Sequence, residues 1–150
     1  KGEFDEYSGP NGEDFSPQKY PRVPENAYSI TAAVYPPVSS ALGSMRLALT
    51  YTHQDEYDYN DDYMPEVTAG GVAIPLAIAV NQAQIIEAQD LLNFQFEWSE
   101  VLGSDFGLSA FVKNLTDEEY LVPYMGIQGA YETRTPGEPR TYGIRLRYNF

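Results

Sequence analysis

The chain has 150 residues, enough for one domain with a substantial core, and carries 22 acidic against 9 basic residues, a formal charge of -13. That excess of carboxylates repels phosphate and excludes nucleic acid as a partner. The absence of cysteine excludes disulfide staples and thiolate metal centres, while 13 tyrosines favour strands over helices.

The opening Lys1-Gly-Glu-Phe-Asp5 has no apolar segment of signal-peptide type. The longest apolar run, Val72 to Val80, is interrupted by Pro75 and is too short for a transmembrane helix. A membrane role must therefore use strands.

Residues 1–9 read as the upper end of a strand already under way, as if the chain were cut from something longer. Residues 10–25 form a loop, punctuated by Pro10, Gly12, Pro17, Pro21 and Pro24. A strand is predicted from about Ala27 to Tyr35, with Tyr28, Ile30, Ala32 and Val34 on one face; Pro36-Pro37 ends it. After the short turn 39–44, a second alternating stretch runs from Met45 to about Tyr57. Met45, Leu47, Leu49 and Tyr51 oppose Arg46, Ala48, Thr50 and Thr52.

A long connection follows, to about Ala88. It opens with Asp55, Glu56, Asp58, Asp61, Asp62 and Glu66, interleaved with Tyr57, Tyr59 and Tyr63 and free of basic residues. Asp58-x-Asn60-x-Asp62 begins like a calcium loop, but Tyr63 and Ala69 stand where that loop needs glycine and glutamate. The stretch reads as a solvated outer loop. Its functional readings are weak cation binding or a tyrosine-lined ligand mouth, with Tyr57, Tyr59, Tyr63, Asp58 and Asp62 as candidate contacts. Val72 to Val80 is compatible with a strand extension or with a short helix from Pro75 through Ile86.

Asp90 to Glu100 alternates again, with Leu92, Phe94, Phe96 and Trp98 opposite Asn93, Gln95, Glu97 and Ser99. The turn 101–105 leads into a strand from Phe106 to Lys113, in which Phe111 breaks the polar parity. Another long connection leads to the last strand, where Tyr142, Ile144, Leu146, Tyr148 and Phe150 oppose Thr141, Gly143, Arg145, Arg147 and Asn149. The result is six strands whose connections alternate long and short. That alternation and the face parity belong to an antiparallel transmembrane β-barrel in an outer membrane, apolar toward lipid and polar toward a wet lumen. Lumen candidates are Arg46, Gln95, Glu97, Arg145 and Arg147; wall solvation is their plainer role.

No catalytic constellation stands out, and no metal site or cofactor is expected. His53 is the only histidine and reads as a surface or lumen group. Asn114-Leu-Thr116 fits a glycosylation sequon but reads better as a turn at a strand end.

Phe111-Val-Lys-Asn-Leu-Thr-Asp-Glu-Glu-Tyr120, followed by Pro136-Gly-Glu-Pro-Arg-Thr-Tyr-Gly-Ile-Arg-Leu-Arg-Tyr-Asn-Phe150, resembles the C-terminal end of a TonB-dependent outer-membrane receptor. Asp14-Phe-Ser-Pro-Gln-Lys-Tyr-Pro-Arg-Val-Pro24 is similar to a loop of that family. The resemblance implies an all-β fold, with residues 1–150 as about six C-terminal strands of a twenty-two-stranded barrel and with the plug domain and TonB box absent. It implies energy-coupled uptake, not enzymatic activity, of a scarce ligand such as a ferric siderophore, a cobalamin-like cofactor or an oligosaccharide. Outer-membrane lipid of a Gram-negative cell, the rest of the barrel, the plug, the TonB complex and the barrel-assembly machinery are the implied partners. Tyr148 and Phe150 resemble the assembly signal, although a glycine usual five residues before the end is Arg145 here. A soluble secreted β-sandwich that binds ligands and a small oligomeric outer-membrane pore are the alternatives.

Overall fold

The computed structural model describes residues 5–59, 64–66, 68, 71–122, 126–127, 131–132 and 135–150. The elements run β1 (Ala27–Val34), β2 (Ser44–Gln54), β3 (Tyr57–Asp58), α1 (Pro75–Ala83), β4 (Ile85–Ile86), β5 (Gln89–Ser99), β6 (Phe106–Lys113), β7 (Leu121–Val122), β8 (Gly126–Ile127), β9 (Tyr131–Glu132), β10 (Thr135–Pro136) and β11 (Thr141–Tyr148). The chain is mostly strand with little helix, an all-β protein with antiparallel sheets. It divides into two compact units: residues 28–53, 89–120 and 136–150 form one, and the remaining stretches form the other.

The first unit is a five-stranded sheet in the order β1-β2-β5-β6-β11. β6 lies antiparallel to both β5 and β11. Side-chain pairs give the other two directions. Ser29 meets Thr52 and Thr31 meets Thr50, while Arg46 meets Glu97 and His53 meets Asp90, so β2 runs against both neighbours. Five of the six predicted strands are present. The expected strand at residues 1–9 is not formed in its described part: Ser8 bridges back to Asp14, the Phe15 amide donates to the Tyr7 carbonyl at 2.7 Å, and the Tyr7 and Phe15 rings pack at 5.4 Å. Gly12 takes the left-handed conformation at this turn, where a Cβ is costly.

Register fixes the two faces. Phe94, Val112 and Tyr142 lie in one row, Phe96, Ala110 and Ile144 in the next, and Trp98, Leu108 and Leu146 in a third. Gln95, Phe111 and Gly143 alternate with them on the opposite face, as do Glu97, Ser109 and Arg145. Among the described residues, no core packs against the apolar face. Tyr142 is 80% exposed, Ile144 79% and Leu146 67%, and Ala48 is the only buried apolar side chain among the described residues of this unit.

The two short connections hold each other. Residues 40–42 and 101–103 are single 3-10 turns. Gly43 sits at a φ of 84°, and any Cβ there would collide with the backbone carbonyls of Ser99 and Glu100. The Trp98 indole N–H donates to the Leu42 carbonyl at 2.6 Å, so an apolar-face indole has its polar atom satisfied.

In the second unit the predicted solvated loop contains a small packed structure. Pro75 supplies a preset first-turn φ, and helix, not strand, follows through Ala83. Asn81 anchors that helix through paired 2.9 Å bonds to the backbone of Met64. Beyond it, Ile85–Ile86 pairs antiparallel with Tyr57–Asp58. Ile86 and Tyr57 are buried together, with Tyr59 packed against them.

Candidate functional site

The polar face of the sheet brings the lumen candidates onto one surface. Arg46 from β2 reaches Glu97 of β5 at 3.4 Å. Gln95 and Glu97 of β5 and Arg145 of β11 line a depression of about 150 Å³ floored by Ser109 and Phe111. Arg147 lies one pleat further along, in a neighbouring concavity that also holds Glu97, Ser109 and Arg145. Strand alternation alone puts these groups together, because all occupy polar parity. Phe111, the residue out of parity, lies over Gly143. A Cβ at Gly143 would stand 2.7 Å from the Phe111 ring, so the aromatic covers a glycine in the adjacent strand.

The end of β6 is held by a polar knot. Asn114 has a φ of 49° and is 3% exposed. Its Nδ2 donates to the carbonyls of Glu118 and Glu138 at 2.9 and 3.1 Å, and its Oδ1 accepts the Glu118 amide at 2.8 Å. Asp117 accepts the Arg140 amide at 3.1 Å and pairs with the Arg140 guanidinium at 3.3 Å. Lys113 pairs with Glu138 at 3.1 Å. Gly137 lies directly on the Tyr120 ring, so the two motifs that carry the family resemblance are one local structure. With both Nδ2 bonds made in a buried setting, Asn114 is a turn-former and not a glycan acceptor.

The outer-loop candidates separate. Tyr57 is buried against Ile86, which corrects the expectation that its ring is available to a ligand. Tyr59 packs on the same cluster and carries the Arg22 guanidinium 4.7 Å above its ring. Asp58 accepts the Arg22 amide through its backbone carbonyl at 2.6 Å. Burial pushes its carboxyl above the ordinary aspartate value; Lys19 pulls it back in part and Glu56 adds to the rise. A depression of about 420 Å³ lies beside it, lined by Asp14, Lys19, Asp58, Glu66 and Gln82 among others. Asp62 and Tyr63 fall outside the described residues.

Two aromatic clusters add to these, one not foreseen and one built on the foreseen Tyr148 and Phe150. At the loop end of the apolar face, Tyr51 Oη donates to Asp90 Oδ1 at 2.6 Å and His53 Nδ1 lies 2.7 Å from the same oxygen. Tyr28 packs on both rings at this end. His53 therefore shares the face of Tyr51, not the polar face of the sheet. At the opposite end, Phe106, Tyr148 and Phe150 stack in series at 4.8 and 4.9 Å. The parity of His53 with Tyr51 was readable, but its partner Asp90 needed the β2–β5 register.

Comparison of the chain with protein-family models, curated proteins and solved structures finds no match.

Proposed function

We propose that this chain is a C-terminal wall segment of a TonB-dependent receptor in a Gram-negative outer membrane, taking up a scarce ligand with energy supplied from the inner membrane. The observation that carries the membrane part is the exposed apolar face with aromatic rims. Tyr28, Tyr51, Phe94 and Tyr142 stand toward the loop end; Trp98, Phe106 and Tyr148 stand at the turn end; aliphatic residues and Phe96 fill the interval. Lipid-facing barrel walls need such a band, and the opposite polar face suits a wet lumen. β2 and β5 have 11 residues each, the length a tilted strand needs to cross hydrocarbon. A soluble sandwich needs a second apolar layer over that face, and the exposed Ile30, Val34, Ile144 and Leu146 have none among the described residues.

The TonB-dependent part rests on the resemblance of residues 111–120 and 136–150, strengthened by their assembly into one polar knot. The acidic loop chemistry disfavours a purely anionic ligand; among the described residues the aromatic candidate outside the buried core, Tyr59, carries Arg22 over its ring. The test is uptake by cells that produce the protein, compared with cells that lack it, for a ferric chelate, a cobalamin-like compound and an oligosaccharide. Saturable uptake that a protonophore abolishes is expected for one of them. Passive uptake insensitive to the protonophore would instead favour a pore.

A further inference from the structure

The sheet ends on two strands, β1 and β11, each paired on one side only among the described residues. Four antiparallel steps separate them, so β1 and β11 run in the same direction. A ring of copies closed through β11 and β1 would have a parallel seam, against the antiparallel rule of membrane barrels. Joining β11 to β11 of another copy gives antiparallel pairing only by inverting one copy in the membrane. The strand that covers β11 is therefore not supplied by a simple repetition of this sheet.

Charge narrows what that strand carries. Arg145 and Arg147 sit two residues apart on the polar face of β11, and on the β6 side they meet only Ser109 and Gly107. Glu97, the carboxylate in that row, is engaged by Arg46. No ion pair among the described residues reaches either arginine. Guanidinium groups keep their charge at any ordinary pH. The nearest vacant positions belong to the next strand, about 4.8 Å away across the free edge. β1 of a second copy would offer Ser29, Thr31 and Ala33 there, with no carboxylate.

We propose that the free edge of β11 is covered by an antiparallel strand from beyond these 150 residues, bearing two carboxylates two residues apart on its polar face, opposite Arg145 and Arg147. This rests on the barrel-wall reading. Directly opposed residues in such a pair lie about 5 Å apart at Cβ, within reach of an ion pair.

The test introduces an amine where each guanidinium stands, as Arg145→Lys and Arg147→Lys, in the protein as it occurs in cells. Washed membranes are treated with a carbodiimide, which joins an amine to a carboxylate only in direct contact, and the linked peptides are sequenced. The Lys113–Glu138 pair at 3.1 Å provides an internal link that reports an intact sheet end. Each variant is expected to gain one new link to an Asp or Glu in a segment of alternating polarity. The two linked carboxylates should lie two residues apart, in the reverse order to 145 and 147. Links to a non-alternating globular segment, links within this chain, or the internal link alone would overturn the proposal while leaving the wall reading intact. Recovery of the protein in the water-soluble fraction would instead overturn the wall reading itself.

Discussion

Asn114→Ala is the substitution with the largest expected effect per atom removed. It deletes three hydrogen bonds, to the Glu118 amide, the Glu118 carbonyl and the Glu138 carbonyl. At about 1 kcal/mol net each these contribute about 3 kcal/mol, more where the orphaned groups stay buried. The left-handed backbone at position 114 adds about 1 kcal/mol, since alanine tolerates it less well than asparagine. The expected loss is about 4 kcal/mol, close to a thousandfold in the local opening equilibrium. Hydrogen exchange of the Glu118, Gly137, Glu138 and Arg140 amides reads it directly, because the knot holds all four. Asn114→Gly removes the same bonds without the backbone penalty, so it should lose about fivefold less protection than the alanine variant. Unchanged protection at these amides in Asn114→Ala would refute the knot as the anchor of the sheet end. Equal losses for alanine and glycine would refute the backbone term.

Gly143→Val should lower thermal stability by about 1–3 kcal/mol through collision with the Phe111 ring, and Phe111→Ala should recover much of it; failure of that rescue would separate the two residues. Tyr57→Ala should cost about 3 kcal/mol of local stability and expose the loop at residues 54–88 to protease, with no such effect expected from a residue that only lines a ligand mouth. Asp58 has a raised folded-state value, so the folded loop holds its proton more tightly than the unfolded chain does. Loop stability should therefore fall as pH rises from about 4 through that raised value, and Asp58→Asn should flatten the profile in protease-resistance measurements. On the proposed barrel-wall reading, Ile144→Arg should reduce assembled protein in the membrane, at about 2–4 kcal/mol for a position near mid-bilayer, whereas Arg145→Gln should be far milder.

Strands with one apolar face were the most legible part of the chain, because period-two alternation has only one reading once a face must be apolar. Tyr142 to Tyr148 and Phe94 to Trp98 therefore fall where their pattern puts them, as do Arg46, Gln95, Glu97, Arg145 and Arg147. Phe111 looked anomalous because its explanation, Gly143, is adjacent through register and not through sequence. The stretch 72–86 was ambiguous for a different reason. A short apolar run fits helix or strand equally, and the decision fell to Pro75 and the anchor at Asn81. Tyr57 was misassigned because an acidic, tyrosine-rich composition says nothing about which ring faces inward. Residues 1–9 were read as the upper end of a strand; in the described part, 5–9, the chain instead turns back on itself through the Ser8–Asp14 bridge.

The proposed lipid-facing wall is tested most directly by spin labels on single cysteines placed one at a time from position 142 to 148, in a chain that has no cysteine of its own. Collision with oxygen, which concentrates in lipid, is expected to peak at 142, 144 and 146. Collision with a water-soluble nickel chelate is expected to peak at 145 and 147. Exclusion of both reagents at 144 and 146 would mark a protein core, and access of the nickel chelate there would mark an aqueous surface; either result would contradict the membrane wall.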